Sequence, residues 1–398
     1  MNNTIKLLDT TLREGEQTPG VYFDVHIKIA IAHLLDEIGI DIIEAGHPVV
    51  SENIQSAVTR ISHQNLKAYI GAHARSLDKD VELALECGVN FIGIFYCVSE
   101  KRLNDNSKNL NEAIAQIVNV IHKAREKRPE LIIRYTPEDT VRSPFPNVIA
   151  AASEAVRAGA NIISIADTTG FMIPRTEHNM YDYVKRLRDE LAQRELYPDI
   201  AVHCHNDRGL ALANAVEGYL AGAHIIDASV MGLGERAGIV DLASLITILA
   251  HDFKVSNSWN LKKLPELYGL VSEYSRIPIS VNAPVCGKNA FTHCAGVHTQ
   301  AAIKNPAHYQ SLDPEIVGRT SEIALDHMSG MAALRYMLDK INETEINDDT
   351  AKKILKKIKE IGETGRTVDL QELRFIVRYI KENVSRCFCH YESRASGT

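Results

Sequence analysis

No stretch of this 398-residue chain approaches the roughly 20 consecutive apolar residues that a membrane-spanning helix needs, and no apolar signal segment follows Met1. The expected compartment is therefore the cytoplasm, with no membrane partner. A surplus of base is also missing: 44 Lys and Arg stand against 51 Asp and Glu, a net charge of -7 spread along the chain. That leaves no basic footprint for nucleic acid or anionic lipid. The seven cysteines form no disulfide-like framework, and Cys387-Phe-Cys389-His390 offers too few ligands for a structural zinc site and reads as part of a tail. What remains, 45% hydrophobic and 24% charged residues, is enough to bury a large core in more than one domain.

Short β-branched runs recur at Ile5-Leu8, Asp41-Glu44, Lys67-Ile70, Phe91-Phe95, Leu131-Tyr135, Ile162-Ala166, Ile200-Cys204 and Ile225-Val230. Amphipathic stretches such as Val25-Ile38 and Asn147-Arg157 separate them. Eight strand-helix units in about 260 residues describe an α/β TIM (β/α)8 barrel. An open dinucleotide-binding sheet competes with it, but no Gly-x-Gly-x-x-Gly follows the first run. After about residue 250 the alternation stops. Leu261-Arg276 and Glu322-Ile341 read as helices around a Gly/Asn/His-rich segment, and residues 346 to 386 are charged and helical. The expected division is a catalytic barrel over 1–260, a linker and lid-like subdomain over 261–330 and a helical C-terminal subdomain over 331–398. Barrel chemistry lies at the C-terminal strand ends, where Arg13, Glu14, Glu44, Arg134, Thr168 and His203 fall.

Two of these strand ends point to a metal. In an extended strand, alternate side chains share a face, so His203 and His205 can address one ion while Cys204 packs on the other side. Glu14, at the end of the first run, is the economical third ligand, because two imidazoles and a carboxylate leave positions open for substrate oxygens. Taken alone, His-x-His reads more readily as two ordinary strand histidines, and the segment that carries Glu14 reverses that order. Mg²⁺, Mn²⁺, Co²⁺ and Zn²⁺ are all compatible with such a set.

Asp9-Thr-Thr-Leu-Arg-Glu-Gly-Glu-Gln17, Val202-His-Cys-His-Asn-Asp207 and Gly232-Leu-Gly-Glu-Arg-Ala-Gly238 resemble, in order and spacing, the signatures of a metal-dependent TIM-barrel family. It includes 2-isopropylmalate, homocitrate and citramalate synthases and 3-hydroxy-3-methylglutaryl-CoA lyase, and the resemblance covers residues 4 to about 330. It implies a Claisen/aldol-type condensation of acetyl-CoA with a 2-oxo acid to a 2-substituted malate, assisted by a divalent metal ion. Arg13 would then stand beside the growing alkoxide as a fixed positive charge, unless it is spent on an ion pair with Asp9 or Glu16. Thr168 matches the threonine that binds the substrate carboxylate, and Glu44 an acidic residue near the reacting centre. His298 in Phe291-Thr-His-Cys-Ala-Gly-Val-His298, with Tyr309, resembles the segment that reaches the partner subunit's barrel and helps deprotonate acetyl-CoA, which implies a domain-exchanged homodimer. The chain is similar to the compact homocitrate synthases rather than to leucine-branch enzymes with a feedback domain. Inhibition at a dedicated regulatory domain is therefore not expected.

The sequence departs from the leucine-branch pattern at Ile239, where that branch has Asn, and at Glu14, where it has Asp. The acceptor is the open question. Homocitrate synthases carry a second His in a His-x-Arg-x-His stretch that holds the distal carboxylate of 2-oxoglutarate, whereas this chain reads His73-Ala-Arg75-Ser-Leu77. A leucine leaves such a charge unpaired. Phe95 and Tyr96 add aromatic surface. Against this, Arg134 and Thr136 resemble an Arg/Ser pair that also contacts the distal carboxylate, though Arg134 could be neutralised by Glu138, Asp139 or Glu44. The leading expectation is an apolar or aryl 2-oxo acid, giving 2-isopropylmalate or benzylmalate, with His73, Leu77, Tyr96, Arg134 and Thr136 around it. The alternatives are a homocitrate synthase using 2-oxoglutarate, a hydroxyacyl-CoA lyase, and a metal-free barrel acting as a binding module.

Overall fold

Eight parallel strands close on themselves in sequence order, each paired with the next and the last with the first. The computed structural model describes residues 5–255 and 258–395, with side chains described up to residue 382 apart from residue 306. The strands are β1 Lys6–Asp9, β2 Ile42–Gly46, β3 Tyr69–Arg75, β4 Phe91–Cys97, β5 Ile132–Glu138, β6 Ile162–Asp167, β7 Asp199–Cys204 and β8 Ile225–Ala228. All eight expected runs are strands of the expected barrel. The reason is visible in burial: every residue of β2, β6 and β8 is buried, as helices outside and packed side chains inside require of a parallel barrel. The first helix, Val25–Ile38, begins where the Asp24 carboxylate accepts from the His26 and Ile27 amides, and it ends at Gly39 with φ 96°.

Two strands run further than their β-branched residues suggest. β3 continues through Gly71, Ala72, His73 and Ala74 to Arg75, so His73 sits in the strand and not beyond it. Those residues have weak intrinsic strand preference, and the pairing of Gly71 with Phe91 and of His73 with Gly93 holds them extended. Gly71 is required there, since a Cβ would lie 2.8 Å from the Phe91 ring. β5 likewise reaches Glu138, which places Arg134 within the strand and not at its end.

The chain divides into two units, Met1–Ile279 and Ser280–Thr398. Helix Leu264–Ser275 packs on Val25–Ile38, so residues 261–279 go with the barrel rather than with a lid. The second unit has its own core, in which Leu325, Leu334, Leu338, Ile354, Ile358, Leu373 and Val377 meet. Within it the expected helix Glu322-Ile341 is broken. Glu322–Ile323 pairs with Thr292–His293 as a short parallel ladder, and the helix proper is Met331–Lys340. Asp326 and Ser329 make a side-chain-bonded turn that stops helix formation before Gly330. Helices Asp348–Gly362 and Leu370–Ala395 complete the unit. Among the described residues no helix is long and apolar enough to cross a membrane. Cys87, Cys97, Cys204 and Cys294 are free thiols, while the side chains of Cys387 and Cys389 lie outside those described.

Candidate metal and active site

The turn after β1 and the end of β7 bring one ligand atom each from Glu14, His203 and His205 within 4.8 Å of one another, all on buried side chains. The two Nε2 atoms face each other at 3.3 Å. The Nδ1 of His203 lies 3.0 Å from Asp227 Oδ2, which holds the imidazole with Nε2 turned to its neighbours, the arrangement that orients a metal-bound histidine. Glu14 is fixed by the Glu235 amide, which donates to Oε1 at 3.0 Å, and by an ion pair with Arg13. Burial works against its charge, but Arg13 and the two histidines hold its carboxyl down at about 2. Burial, with His203 alongside, pushes His205 down to about 3 and keeps it neutral. A deprotonated carboxylate beside two converging imidazoles fits a divalent cation, which Glu14, His203 and His205 would hold.

Below this cluster lies a buried charge network. Glu44 is inaccessible and accepts from Thr10 Oγ1 at 2.7 Å, Arg13 Nε at 2.6 Å, His73 Nδ1 at 3.1 Å and Arg134 Nη2 at 3.4 Å. Burial alone would raise its pKa, yet Arg13 and His73 keep it well below the carboxylate range, so it is ionised. Arg134 turns its other Nη to both oxygens of Asp227, each at 2.9 Å. Arg13 pairs with Glu14 and Glu44, not with Asp9 or Glu16; Glu16 accepts instead from the buried Lys28 at 2.6 Å. Burial and the nearby Arg13 lower His73 to about 4, leaving it neutral at pH 7.

A cavity of about 290 Å³ opens over these groups. Arg13, Glu14, His203 and His205 line it on one side, His73, Arg134, Thr136 and Thr168 elsewhere on its wall. Thr168 Oγ1 accepts from the Asp139 amide at 3.0 Å, which leaves its own proton to donate. Leu77 and Tyr96 are not brought to this cavity. They line a smaller one of about 190 Å³, separated from the first by Phe95 and Glu138, which border both. Leu77 is 43% exposed and precedes helix Asp78–Glu86. His298 and Tyr309 belong to the second unit, their ring centroids 4.3 Å apart.

Several residues of the site escaped sequence reading. Asp227 is the most consequential, and its signal was there: a lone carboxylate inside the apolar strand Ile225–Ala228. Ser164, His47, Glu235 and Arg236 also line the cavity. Arg236 forks onto Asp207 at 2.7 and 2.9 Å and donates to the Thr168 carbonyl, tying the second motif to the third. The third motif needs its glycines for close approach. At Gly238, φ 80°, a Cβ would lie 1.8 Å from the Gly232 carbonyl oxygen, and at Gly234 it would press 3.1 Å from Glu14 Cγ. Only a loop this tight delivers the Glu235 amide to Glu14.

The comparisons with known proteins agree with this geometry. Residues 4–271 match the HMGL-like family, and residues 285–366 match the homocitrate synthase post-HMGL domain-like family. The homocitrate synthase of Pyrococcus horikoshii is 41% identical over 359 residues, 90% of this chain and 95% of that protein. The 2-isopropylmalate synthase of Methanocaldococcus jannaschii is 36% identical over 94% of this chain and 71% of that protein. Among solved structures, the HMG-CoA lyase of Bacillus subtilis superimposes with a TM-score of 0.60 at 22% identity, covering 70% of this chain and 95% of that one, a likeness of fold. The chain belongs to the HMGL-like family, with the homocitrate and 2-isopropylmalate synthases, the enzymes that condense acetyl-CoA with a 2-oxo acid. It is a divalent-metal-dependent acyltransferase.

Proposed function

We propose that this enzyme joins acetyl-CoA to a 2-oxo acid with an apolar side chain, branched or aryl, such as 2-oxoisovalerate or phenylpyruvate. The products are CoA and a 2-substituted malate. One observation carries the choice of acceptor: every guanidinium on the cavity wall is already matched by carboxylates. Arg134 faces Asp227 and Glu44, Arg13 faces Glu14 and Glu44, and Arg236 faces Asp207. A second carboxylate on the acceptor would meet no spare positive charge, and an uncompensated buried charge costs several kcal/mol.

When bound, a divalent ion would polarise the ketone of the acceptor. The chain's own groups do the rest. Arg13 has Nε on Glu44 and one Nη on Glu14, which aims the remaining Nη, without a protein partner among the described residues, at the oxygen that gains charge as the carbon-carbon bond forms. Glu44 stays ionised and clamps Arg13. Asp227 holds His203 in one tautomer. Thr168 donates its hydroxyl proton to the acceptor's 1-carboxylate. His298 and Tyr309 act in the barrel of a partner subunit, helping to remove a proton from the acetyl-CoA methyl group, and hydrolysis of the thioester then releases CoA.

Thiol release from acetyl-CoA across a panel of 2-oxo acids tests the acceptor. Higher kcat/KM for phenylpyruvate or 2-oxoisovalerate than for 2-oxoglutarate is expected, and the reverse order overturns it. Subunit exchange is tested by refolding inactive His298→Ala with inactive His205→Ala protein. Recovered activity is expected, and none despite proven heterodimers argues for sites built from one chain. A second reading, 2-oxoglutarate giving homocitrate, draws on the homocitrate synthases among the relatives and on Arg134 Nε and Thr136 Oγ1, which have no hydrogen-bond partner among the described residues.

A further inference from the structure

Four buried polar atoms of the cavity-lining residues have no hydrogen-bond partner among the described residues: His205 Nδ1 at the metal cluster and, on the adjoining strands, Thr136 Oγ1 on β5, Ser164 Oγ on β6 and Arg134 Nε. β5 and β6 are neighbours, with Arg134 beside Ile162 and Tyr135 beside Ile163. Carried one step along, that register sets Thr136 beside Ser164, and strand alternation turns both to the barrel interior. Ser164 is fully buried, and on its own strand face it is flanked by the apolar Ile162 and Ala166. Buried hydroxyls are nearly always hydrogen-bonded in folded proteins, so two adjacent ones left open on a cavity wall mark a place where something else completes them.

What completes them is constrained by charge. Arg134 is the cation at this niche, and Asp227 and Glu44 already balance it. The niche therefore offers hydrogen bonds without spare charge. A carboxylate would find donors but no counter-charge, and a bare hydrocarbon would leave three polar atoms dry. A neutral hydroxyl satisfies both conditions, since it accepts from Arg134 Nε while donating to a wall hydroxyl oxygen.

Resting on the apolar and aryl acceptor reading above, we propose that Ser164, with Thr136, selects an aryl 2-oxo acid whose distal end carries a hydroxyl over its hydroxyl-free analogue. The probes are 4-hydroxyphenylpyruvate and phenylpyruvate, each assayed with acetyl-CoA on the holoenzyme, and the readout is the ratio of their kcat/KM values. A wild-type preference of roughly ten- to a hundredfold for the hydroxylated acid is expected, because a site built to hydrogen-bond a hydroxyl discriminates against a substrate lacking it. Ser164→Ala should cut that ratio about tenfold, and Thr136→Val, which keeps the side-chain volume, should cut it similarly. Both rates come from one preparation, so partial misfolding cancels in the ratio. A wild-type ratio of one or less overturns the proposal, as does a ratio within twofold of wild type in both variants. If 2-oxoglutarate outruns both aryl acids, the acceptor reading falls. If phenylpyruvate is the better of the two and outruns 2-oxoglutarate, only the niche falls.

Discussion

The two sides of the cavity are built by opposite means. On the side formed by β7, β8 and β1, each chemical group is held by other polar groups: Asp227 grips His203 and Arg134, the Glu235 amide and Arg13 grip Glu14, and Glu44 grips Arg13. On the side formed by β3 and β4, rings answer mostly to packing. His73 stacks on Phe95 with centroids 4.6 Å apart and planes 13° from parallel, and beyond Phe95 lies the smaller cavity with Leu77 and Tyr96. The difference separates two demands. Metal and alkoxide chemistry is the same for every acceptor and needs charges fixed to within a fraction of an ångström, whereas the β3 and β4 wall offers an acceptor mainly a shape to pack against.

The contrast breaks most visibly at the ligands. His205→Ala should lose bound metal, read by elemental analysis, and thiol release with it; full activity in metal-depleted His205→Ala protein would refute the ligand set. Arg13→Lys should lose about 10² or more in kcat, because an ammonium cannot hold Glu14 and Glu44 and still present a donor to the alkoxide. An unchanged kcat with a raised KM would reassign Arg13 to ground-state binding. One step back from the metal, Asp227→Asn should weaken metal affinity about 10- to 100-fold, the usual effect of losing the carboxylate behind a ligating histidine. A change below about threefold in a metal titration would mean that His203 is oriented by other groups.

Smaller effects belong to the opposite side. His73 stands at about 4 in the fold against an ordinary value of 6.5, so between those pH values the unfolded chain binds a proton that the folded chain does not. The stability this contributes is present above pH 6.5 and is lost as pH falls towards 4. His73→Gln should flatten the dependence of unfolding free energy on pH by up to about one proton in that window, measured by urea melts. An unaltered slope would place the titration elsewhere. Leu77→His should move the preference between phenylpyruvate and 2-oxoglutarate by less than about tenfold, because residue 77 is half-exposed beside the second cavity. A shift of 10² or more would show that the two cavities act as one in turnover.

The sequence by itself determined the barrel and the convergence of Glu14, His203 and His205. Eight β-branched runs spaced by amphipathic stretches admit few other folds, and a closed barrel must bring the end of its seventh strand and the turn after its first to the same rim. The glycines of Gly232-Leu-Gly-Glu-Arg-Ala-Gly238 were legible as a motif, though not as the reason a backbone amide reaches Glu14. Only the tertiary structure decided the rest. It paired Asp227 with Arg134 across 93 residues of sequence, extended β3 through residues of poor strand preference, turned Leu77 away from the main cavity and left Ser164 open to it. The physical reason is the same in each case: local preference and alternation say which face of an element is buried, but what a buried group meets depends on neighbours that only closure of the barrel supplies.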